Sequence, residues 1–503
     1  MNRADQLTKL KNTSHWDIVV IGGGATGLGT ALDAAGRGFK TLCIEKHDFS
    51  SGTSSRSTKL IHGGVRYLEQ GNISMVRNGL FERWFFLKNA PVATRRIPFI
   101  LPVYSWWRLL YYGFGLFLYD VLSGKYSIGK TNYLSKKAVI AAIPEIRQEK
   151  LKGGIRYFDG QFDDSQICLA LARTTIGKGG TVVNHMEAEG FIYNGEKLAG
   201  VKLRDRITGE TFTITAGAVI NATGVFADEL MQKDDHTHRK IITPSQGIHI
   251  VADKKFYTSK EALLIPKTTD GRILFAVPWH GRVLLGTTDI KVESTAEEPV
   301  ATDEEIHFVL DNFNRYTRQH MSVIDIKSVF AGHRPLVKTH NLISTASLLR
   351  DHTVLVSHSG LVTITGGKWT TYRKMSRDAV NKAIAVSGLP FRRCRTKNQK
   401  LDLGPGRDHR LSAVSLHPDF TYTEGDVITA VRENMACTLE DVLARRLRML
   451  FLDARAALQC AGHVCRIMQL ELGKDDNWTR EQLSAFDQLA KKYLPSSDLL
   501  HER

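Results

Sequence analysis

The sequence is poor in the residues that build disulfide frameworks and proline-rich linkers. It has 6 cysteines and 13 prolines among 503 residues, and no two cysteines form a Cys-x-x-Cys pair. A zinc ribbon, a redox dithiol or a disulfide scaffold therefore has no support, and the cysteines indicate a reducing, intracellular compartment. Internal repeats and low-complexity segments are also missing, which excludes collagen-like and coiled-coil proteins.

The chain also lacks an apolar run of the length that spans a bilayer. Its most apolar stretch, residues 97–121, is cut by Arg108 and by two prolines, and neither part approaches the roughly 20 residues that a span needs. Residues 1–15 have no apolar core of the kind found in signal peptides. The cluster WWRLLYY at 106–112 combines aromatic side chains with a cation. It fits a helix lying on a membrane surface, and equally a buried or interdomain helix.

Positive charge is abundant. Lys and Arg together number 68 against 52 for Asp and Glu, a formal net charge of +16. Such an excess favours an anionic partner, namely nucleic acid, an anionic membrane surface or a phosphorylated substrate, although solubility alone would also account for it. With 42% hydrophobic and 24% charged residues over this length, the chain is typical of a globular protein of two or three domains.

A strand–turn–helix–strand unit occupies residues 17–45. The strand DIVVI is followed by the glycine-rich turn GGGATG, a helix over 28–37 and a second strand over 40–44. Gly22, Gly24 and Gly27 fit the dinucleotide fingerprint, in which the turn and the helix N-terminus hold a pyrophosphate. Glu45, at the end of the second strand, is placed to accept hydrogen bonds from the ribose hydroxyls. The unit predicts a parallel sheet and a dinucleotide cofactor, either NAD or FAD.

A second phosphate-binding pattern competes with the first. Residues 124–131 read GKYSIGKT, which matches the P-loop of nucleotide hydrolases. The next predicted helix, over 135–143, begins too late for its N-terminus to face this loop. An NTPase is therefore the weaker interpretation.

The remainder of the chain divides into further predicted elements. Short strands are predicted at 181–183, 191–193, 200–203 and 211–215, and a more antiparallel group at 241–251, 273–277 and 283–286. A linker is predicted around 390–410. Beyond it, the TLED sequence at 438–441 is a helix-start signature ahead of apolar residues at helical spacing, which predicts a helical C-terminal domain.

Five motifs in one order carry a family resemblance. They are VVIGGGATG at 19–27, TSSRSTKLIHGGVRYLE at 53–69, NATG at 221–224, GHRPL at 332–336 and GGKWTTYR at 366–373. Together they resemble the FAD-dependent glycerol-3-phosphate dehydrogenase family, the membrane-bound respiratory enzymes and not the soluble NAD-dependent ones. Two departures are Trp369, where a smaller aliphatic residue is expected, and Thr26, where some relatives have Asn.

The resemblance implies an α/β fold and the cofactor FAD. An FAD-binding Rossmann-like (doubly wound) domain with an interleaved antiparallel-sheet substrate domain is expected over 15–390, the substrate part mainly over about 75–160 and 240–330. A C-terminal helical domain is expected over 391–503. The implied cofactor-binding residues are Gly22, Gly24, Gly27, Glu45, Ser54, Ser55, Lys59, Leu60, Ala222, Thr223, Gly224, Gly366 and Gly367.

The family's substrate pocket maps onto five residues. Arg66, Tyr67, Arg334 and Lys368 fall on substrate-binding positions, and His249, Arg334 and Lys368 on catalytic ones. A phosphate dianion calls for such Arg and Lys donors. Oxidising a hydroxyl needs a base, for which His249 is the candidate because imidazole titrates near physiological pH. His333 is the fallback base, and polarisation of the developing alkoxide by Lys368 is an alternative role that the sequence does not separate from these.

The activity implied is oxidation of sn-glycerol 3-phosphate to dihydroxyacetone phosphate by hydride transfer to FAD, with the electrons passed to a membrane quinone. Peripheral (monotopic) attachment to an anionic membrane surface on its cytoplasmic side is expected, and a homodimer is compatible with it. The nearest alternative is glycerol-3-phosphate oxidase, which uses oxygen as acceptor. A basic RNA-binding flavoprotein is a second alternative, but no RNA-binding module is recognised, so a nucleic-acid partner is not expected. No metal is expected either.

Overall fold

The structure is a computed structural model that describes residues 1–65, 68, 71–337, 352–404, 406, 408, 410–496 and 499. The α-helices are α1 (Arg3–Lys11), α2 (Ala25–Gly36), α3 (Ile73–Asn89), α4 (Trp106–Ser123), α5 (Lys136–Ala142), α6 (Asp164–Gly177), α7 (Ala227–Asp234), α8 (Asp303–Tyr316), α9 (Tyr372–Ser387), α10 (Glu424–Asn434), α11 (Met449–Leu452), α12 (Ala454–Leu472) and α13 (Asp476–Lys491). The strands are β1 (His15–Ile21), β2 (Thr41–Ile44), β3 (Leu60–Ile61), β4 (Thr94–Val103), β5 (Asn132–Ser135), β6 (Gly153–Phe162), β7 (Thr181–Val183), β8 (Met186–Asn194), β9 (Lys197–Asp205), β10 (Thr211–Asn221), β11 (Ile242–Asp253), β12 (Ala262–Ile265), β13 (Leu274–Trp279), β14 (Arg282–Gly286), β15 (Ile290–Lys291), β16 (Ile326–Val337), β17 (His352–Val356) and β18 (Val362–Gly366).

The first sheet is mainly parallel and is built around β1. Its strands lie in the order β17-β18-β10-β1-β2-β7, and the β8–β9 hairpin extends from β10. Strand β1 pairs in parallel with both β2 and β10. Ile18, Val19 and Val20 have no exposed surface, as expected for a strand covered on both faces. The doubly wound α/β prediction is confirmed.

The second sheet is mostly antiparallel. Its order is β15-β11-β14-β13-β12-β4-β6-β3, with β16 also paired to β11 and β5 to β6. The long strands β11 and β16 pair antiparallel, which sets His249 opposite Phe330 and Ser245 opposite Arg334. The predicted antiparallel region is therefore present, and it makes neighbours of residues that lie far apart in the sequence.

The C-terminal region is helical, as predicted, and an unusual turn follows α10. The Thr438 N–H donates to Asp441 Oδ2 at 3.0 Å and the Asp441 N–H to Thr438 Oγ1 at 3.2 Å, which is a reciprocal capping arrangement. A π-helix over Asp441–Arg446 comes next. Apolar side chains of this region share one core with the antiparallel sheet. The domain boundary at 390/391 stays a prediction, and residues 388–395 there form no helix or strand.

The glycine-rich segment at 124–131 leads into a strand, whereas a P-loop leads into a helix. A 3₁₀ turn over Gly124–Tyr126 precedes strand β5, and no helix begins at Lys130. The Thr131 N–H donates to Asp120 Oδ2 at 2.5 Å. No helix N-terminus therefore faces this segment, and the NTPase interpretation loses its structural basis.

Helix α4, which contains the 106–112 cluster, is amphipathic with an unpaired apolar face. Leu116 and Tyr119 are buried, whereas Trp107 is 82% and Phe114 70% exposed. Within the described part of the chain, no helix is both long and apolar enough to cross a bilayer. Because the side chains of the 106–112 cluster are largely exposed, this helix is not buried.

Candidate active site

The turn after β1 is shaped by glycine. Gly22 has φ +118°, and a Cβ at this position would lie 2.5 Å from the carbonyl oxygen of Ala222. A Cβ at Gly27 would lie 1.8 Å from the Gly22 carbonyl oxygen. The backbone can therefore pass this close only with glycine at both positions.

Helix α2 begins at Ala25, three residues before the predicted start, so Gly27 lies in its first turn and not in the turn before it. The Ala25 N–H donates to Ser54 Oγ at 2.9 Å, which ties the later 53–60 loop to the helix N-terminus. The free N–H groups of a helix N-terminus make it a site for an anion such as a pyrophosphate.

Glu45 is held in place by backbone N–H groups. Its Oε2 accepts from the Gly23 N–H at 2.6 Å and its Oε1 from the His47 N–H at 2.9 Å. These bonds fix the carboxylate at the carboxyl end of β2, beside the glycine turn. The second lone pair of each oxygen stays available for a ribose hydroxyl.

These elements border a cavity of about 490 Å³ at the carboxyl ends of the parallel strands. The predicted cofactor residues among its lining are Gly22, Gly24, Glu45, Ser54, Ala222, Thr223, Gly224, Gly366 and Gly367, together with Lys368. Ligands of open α/β sheets bind in this place. Glycine turns, an N-terminal helix end and a carboxylate in one cavity fit a dinucleotide such as FAD.

The 53–60 loop connects this cavity to the antiparallel sheet. Thr53 Oγ1 donates to the His333 carbonyl oxygen at 2.6 Å, and Arg56 Nη1 donates to the Ala331 carbonyl oxygen at 3.2 Å. Arg56 also pairs with Glu298, with Nη2 to Oε2 at 2.6 Å. The loop therefore lies between the cofactor cavity and strand β16.

Three predicted cofactor residues of this loop are buried behind the cavity lining: Ser55, Lys59 and Leu60. Lys59 Nζ donates to Asp164 Oδ2 at 2.7 Å and to the Ser55 carbonyl oxygen at 2.6 Å. Burial outweighs the Asp164 carboxylate and lowers the pKa of Lys59 to about 7. These three residues are therefore packed inside the protein and do not line the cavity. Their contact with the cofactor stays a prediction.

His249 is buried on β11, against the same loop. Its Nε2 lies 2.8 Å from Thr58 Oγ1, and its ring stacks on Phe330 with centroids 5.0 Å apart. Burial, followed by the charges of Lys59 and Arg334, holds the pKa of His249 well below its usual range. The imidazole is therefore neutral at physiological pH. Its buried Nδ1 has no hydrogen-bond partner among the described residues.

Arg334 lies on the same face of the sheet as His249. Strand pairing sets Gly247 opposite Gly332 between them, and a Cβ at Gly247 would lie 2.2 Å from Arg334 Nη2. The guanidinium therefore occupies the space over this glycine. Arg334 Nη1 lies 3.2 Å from Asp289 Oδ1 and Nη2 donates to Thr287 Oγ1 at 3.0 Å.

The fallback base His333 points elsewhere. Its Nδ1 accepts from the Ala296 N–H at 3.4 Å and its Nε2 lies 3.2 Å from Gln246 Oε1. Both ring nitrogens thus have protein partners, and burial beside Arg56 lowers the pKa of His333. Of the two histidines, His249 is the one with a ring nitrogen that has no hydrogen-bond partner among the described residues. Arg66 and Tyr67 lie outside the described residues.

Comparison with known proteins agrees with this geometry. A family model described as FAD dependent oxidoreductase matches residues 17–373, and one described as the C-terminal domain of alpha-glycerophosphate oxidase matches residues 398–479. A probable mitochondrial glycerol-3-phosphate dehydrogenase of Caenorhabditis elegans is 39% identical over 535 residues, covering 96% of this chain and 74% of the relative. The chain belongs to the FAD-dependent glycerol-3-phosphate dehydrogenase family.

Two solved structures share the fold of this chain. The glycerol-3-phosphate dehydrogenase from Bacillus halodurans, complexed with FAD, has a TM-score of 0.79 at 28% identity, covering 98% of this chain and 99% of that chain. The L-alpha-glycerophosphate oxidase from Mycoplasma pneumoniae has a TM-score of 0.56 at 17% identity, which shows a shared fold only. The predicted family and the predicted cofactor, FAD, are both confirmed.

Two residues that line the cavity are not among the predicted cofactor residues. Arg56 and Trp369 both line the cavity. Trp369 Nε1 donates to the Ser54 carbonyl oxygen at 2.9 Å, and its ring packs edge-on against Phe162 at 5.1 Å. Arg56 stands within the quoted 53–69 motif, so its basic side chain beside the hydroxyl-rich loop was the available signal. The signal for Trp369 is its departure from the smaller aliphatic residue expected there.

Proposed function

We propose that the protein oxidises sn-glycerol 3-phosphate to dihydroxyacetone phosphate with FAD as the hydride acceptor, and passes the electrons to a membrane quinone. One observation carries the first part of this proposal, the oxidation of the substrate. His249 and Arg334 lie on the same face of the antiparallel sheet, and the 53–60 loop connects that face to the FAD cavity. The relatives named glycerol-3-phosphate dehydrogenase support the same substrate.

In this proposal, cationic residues bind the phosphate and a neutral histidine takes the proton. Arg334 and Lys368 bind the phosphate dianion, together with Arg66. His249, neutral because burial and neighbouring cations depress its pKa, takes the proton of the C2 hydroxyl as the C2 hydride leaves. Bound FAD supplies the two-electron acceptor for that hydride. Tyr67 completes the substrate pocket in this proposal.

The experiment for this half is an anaerobic absorbance spectrum of the purified holoenzyme before and after adding glycerol 3-phosphate. We expect the flavin absorbance to bleach with one equivalent of substrate, and to remain unchanged with glycerol, which lacks the phosphate. A flavin that stays oxidised with glycerol 3-phosphate contradicts the substrate and leaves the family intact.

We propose that helix α4 attaches the protein to an anionic membrane surface on its cytoplasmic side. Its exposed aromatic stripe includes Trp107, Tyr111, Phe114 and Phe117, the residue types that anchor proteins at the headgroup level. A free apolar helix face of this size is uncommon on a soluble surface. Attachment would bring the flavin site to the membrane phase in which a quinone dissolves.

The acceptor is tested separately from the substrate. With glycerol 3-phosphate present, we expect rapid turnover with a soluble quinone analogue and slow peroxide formation in air. Prompt peroxide formation that a quinone leaves unaffected would favour the oxidase alternative. The matching C-terminal family model, which is described as a domain of alpha-glycerophosphate oxidase, supports that alternative.

A further inference from the structure

A second cavity, of about 360 Å³, lies away from the FAD cavity and shares no lining residue with it. It forms where α3 meets the Gly124–Tyr126 turn and the segment at 397–398. Three of its lining side chains are aromatic, Trp84, Phe85 and Tyr126, and three are lysines, Lys88, Lys125 and Lys397. The proposed reaction uses none of them.

The aromatic side chains form one cluster of rings. Phe81 lies 5.0 Å from Tyr126 and 4.7 Å from Phe85, measured between ring centroids, and Trp84 lies 4.9 Å from Phe85. These contacts are edge-on, so ring faces remain available to cations. The packed rings form one side of the cavity.

The three lysines place their ammonium groups over these rings. Lys88 Nζ lies 5.1 Å from the Trp84 centroid, Lys125 Nζ 5.4 Å from the Tyr126 centroid and Lys397 Nζ 4.9 Å from the Phe85 centroid. Among the described residues, none of the three forms an ion pair, and no carboxylate lines the cavity. Three like charges on one cavity repel one another, and an anion bound between them would relieve that repulsion.

The cavity is connected to α4 through the turn that follows the helix. The helix ends at Ser123, and the next turn, Gly124–Tyr126, contributes Lys125 and Tyr126 to the cavity. Val121, the last exposed apolar residue of the helix, lies four positions before Lys125. The exposed apolar residues of α4 are therefore followed within a few residues by cationic ones, an order that suits the boundary between acyl chains and headgroups.

We propose that this lysine cavity binds the phosphate headgroup of an anionic phospholipid while the apolar face of α4 enters the acyl region. The inference rests on the membrane attachment proposed above and adds the residues that select the lipid. Ammonium groups recognise a phosphodiester as point charges, and the Trp84 and Tyr126 rings occupy the interfacial depth that such rings favour.

The test is flotation of the FAD-loaded holoenzyme with vesicles of phosphatidylcholine, alone or mixed with phosphatidylglycerol. The variant Lys88→Gln/Lys125→Gln/Lys397→Gln is compared with Lys178→Gln/Lys202→Gln/Lys260→Gln, which loses the same charge at exposed lysines elsewhere. We expect the cavity variant to bind mixed vesicles about 100-fold more weakly than wild type. The matched variant should stay within about threefold, and both should retain FAD.

Each other outcome overturns the inference in a recognisable way. Wild type that floats with neither vesicle defeats the membrane attachment itself. Wild type that floats while both triple variants weaken equally leaves the attachment standing and removes only the headgroup site. Binding of inorganic phosphate or of single-stranded RNA through these lysines, without any preference for mixed vesicles, would assign the cavity to a different ligand.

Discussion

The cofactor half and the substrate half of the site are built in different ways. The FAD half uses backbone: the Gly22 turn, the first N–H groups of α2 and a carboxylate fixed by two N–H groups. The proposed substrate half uses side chains, His249 and Arg334, which two long strands of the antiparallel sheet carry. A backbone site fails when a Cβ is added, whereas a side-chain site fails when a functional group is removed.

The largest effect is expected in the backbone half, from Gly27→Ala. Its new Cβ would meet the Gly22 carbonyl oxygen at 1.8 Å, a contact that only a backbone shift can relieve. We expect the variant to lose FAD, measured as flavin released per protein. Gly36→Ala is the matched control in the same helix, with nothing within 4 Å of its Cβ. It should keep FAD and be unchanged or stabilised by up to ~1 kcal/mol. Full FAD retention by Gly27→Ala would contradict the backbone account.

The substrate half is tested by His249→Asn. Loss of the imidazole should slow anaerobic flavin reduction by about 10²- to 10⁴-fold, while FAD content stays normal because His249 does not line the FAD cavity. His358→Asn, at an exposed histidine paired with Glu196, should reduce at the wild-type rate. Equal rates in both variants would remove His249 from the chemistry.

These two halves also differ in how far the sequence predicts them. The glycine turn, helix α2 and Glu45 lie within one short strand–helix–strand unit, so local spacing and strand–helix alternation were enough to predict the cradle. His249 and Arg334 are brought together by the register of β11 and β16. Register depends on packing between distant segments, which local patterns do not contain. Only the family resemblance identified these residues.

The unpredicted features share that long-range origin. The Ala25 N–H at the start of α2 donates to Ser54 Oγ, and Trp369 Nε1 donates to the Ser54 carbonyl oxygen. The depressed pKa of His249 comes from burial and from Lys59 and Arg334, none of which is adjacent in sequence. The π-helix over Asp441–Arg446 was predicted only as a helix start.

Arg334→Met sharpens the comparison by removing charge and keeping bulk. Hydrogen bonds to charged groups contribute about 1.5–3 kcal/mol, so loss of a bidentate phosphate contact should lower kcat/KM by about 10²- to 10³-fold. Because the substitution also breaks the ion pair between Arg334 and Asp289, the double variant Arg334→Met/Asp289→Asn is the control. Recovery of activity in the double variant would show that Asp289, and not the phosphate contact, caused the loss.

The pH profile separates a neutral buried imidazole from an ordinary one. The pKa of His249 lies below its usual 6.5, so protonation of His249 should slow flavin reduction only below pH 6.5. A change in rate near pH 7 would instead report Lys59, whose pKa burial lowers to about 7. Stability should also fall with falling pH. The imidazole of His249 takes up its proton in the unfolded state first, as the pH falls through about 6.5, so the free energy of unfolding should decrease there. His249→Asn should abolish this component. A rate that halves near pH 6.5 would contradict the burial argument.

The smallest effect is expected from Trp369→Phe, which tests a side-chain contribution inside the backbone half. The substitution removes the Nε1–H bond to the Ser54 carbonyl oxygen and keeps an aromatic ring beside Phe162. One neutral hydrogen bond contributes about 1 kcal/mol, so the Kd for FAD should rise about fivefold, measured by reconstitution of the apoprotein. Trp369→Leu, which also removes the ring, should raise it further. If neither variant changes the Kd, the cradle depends on backbone alone, because the Ser54 loop would then hold its position without Trp369.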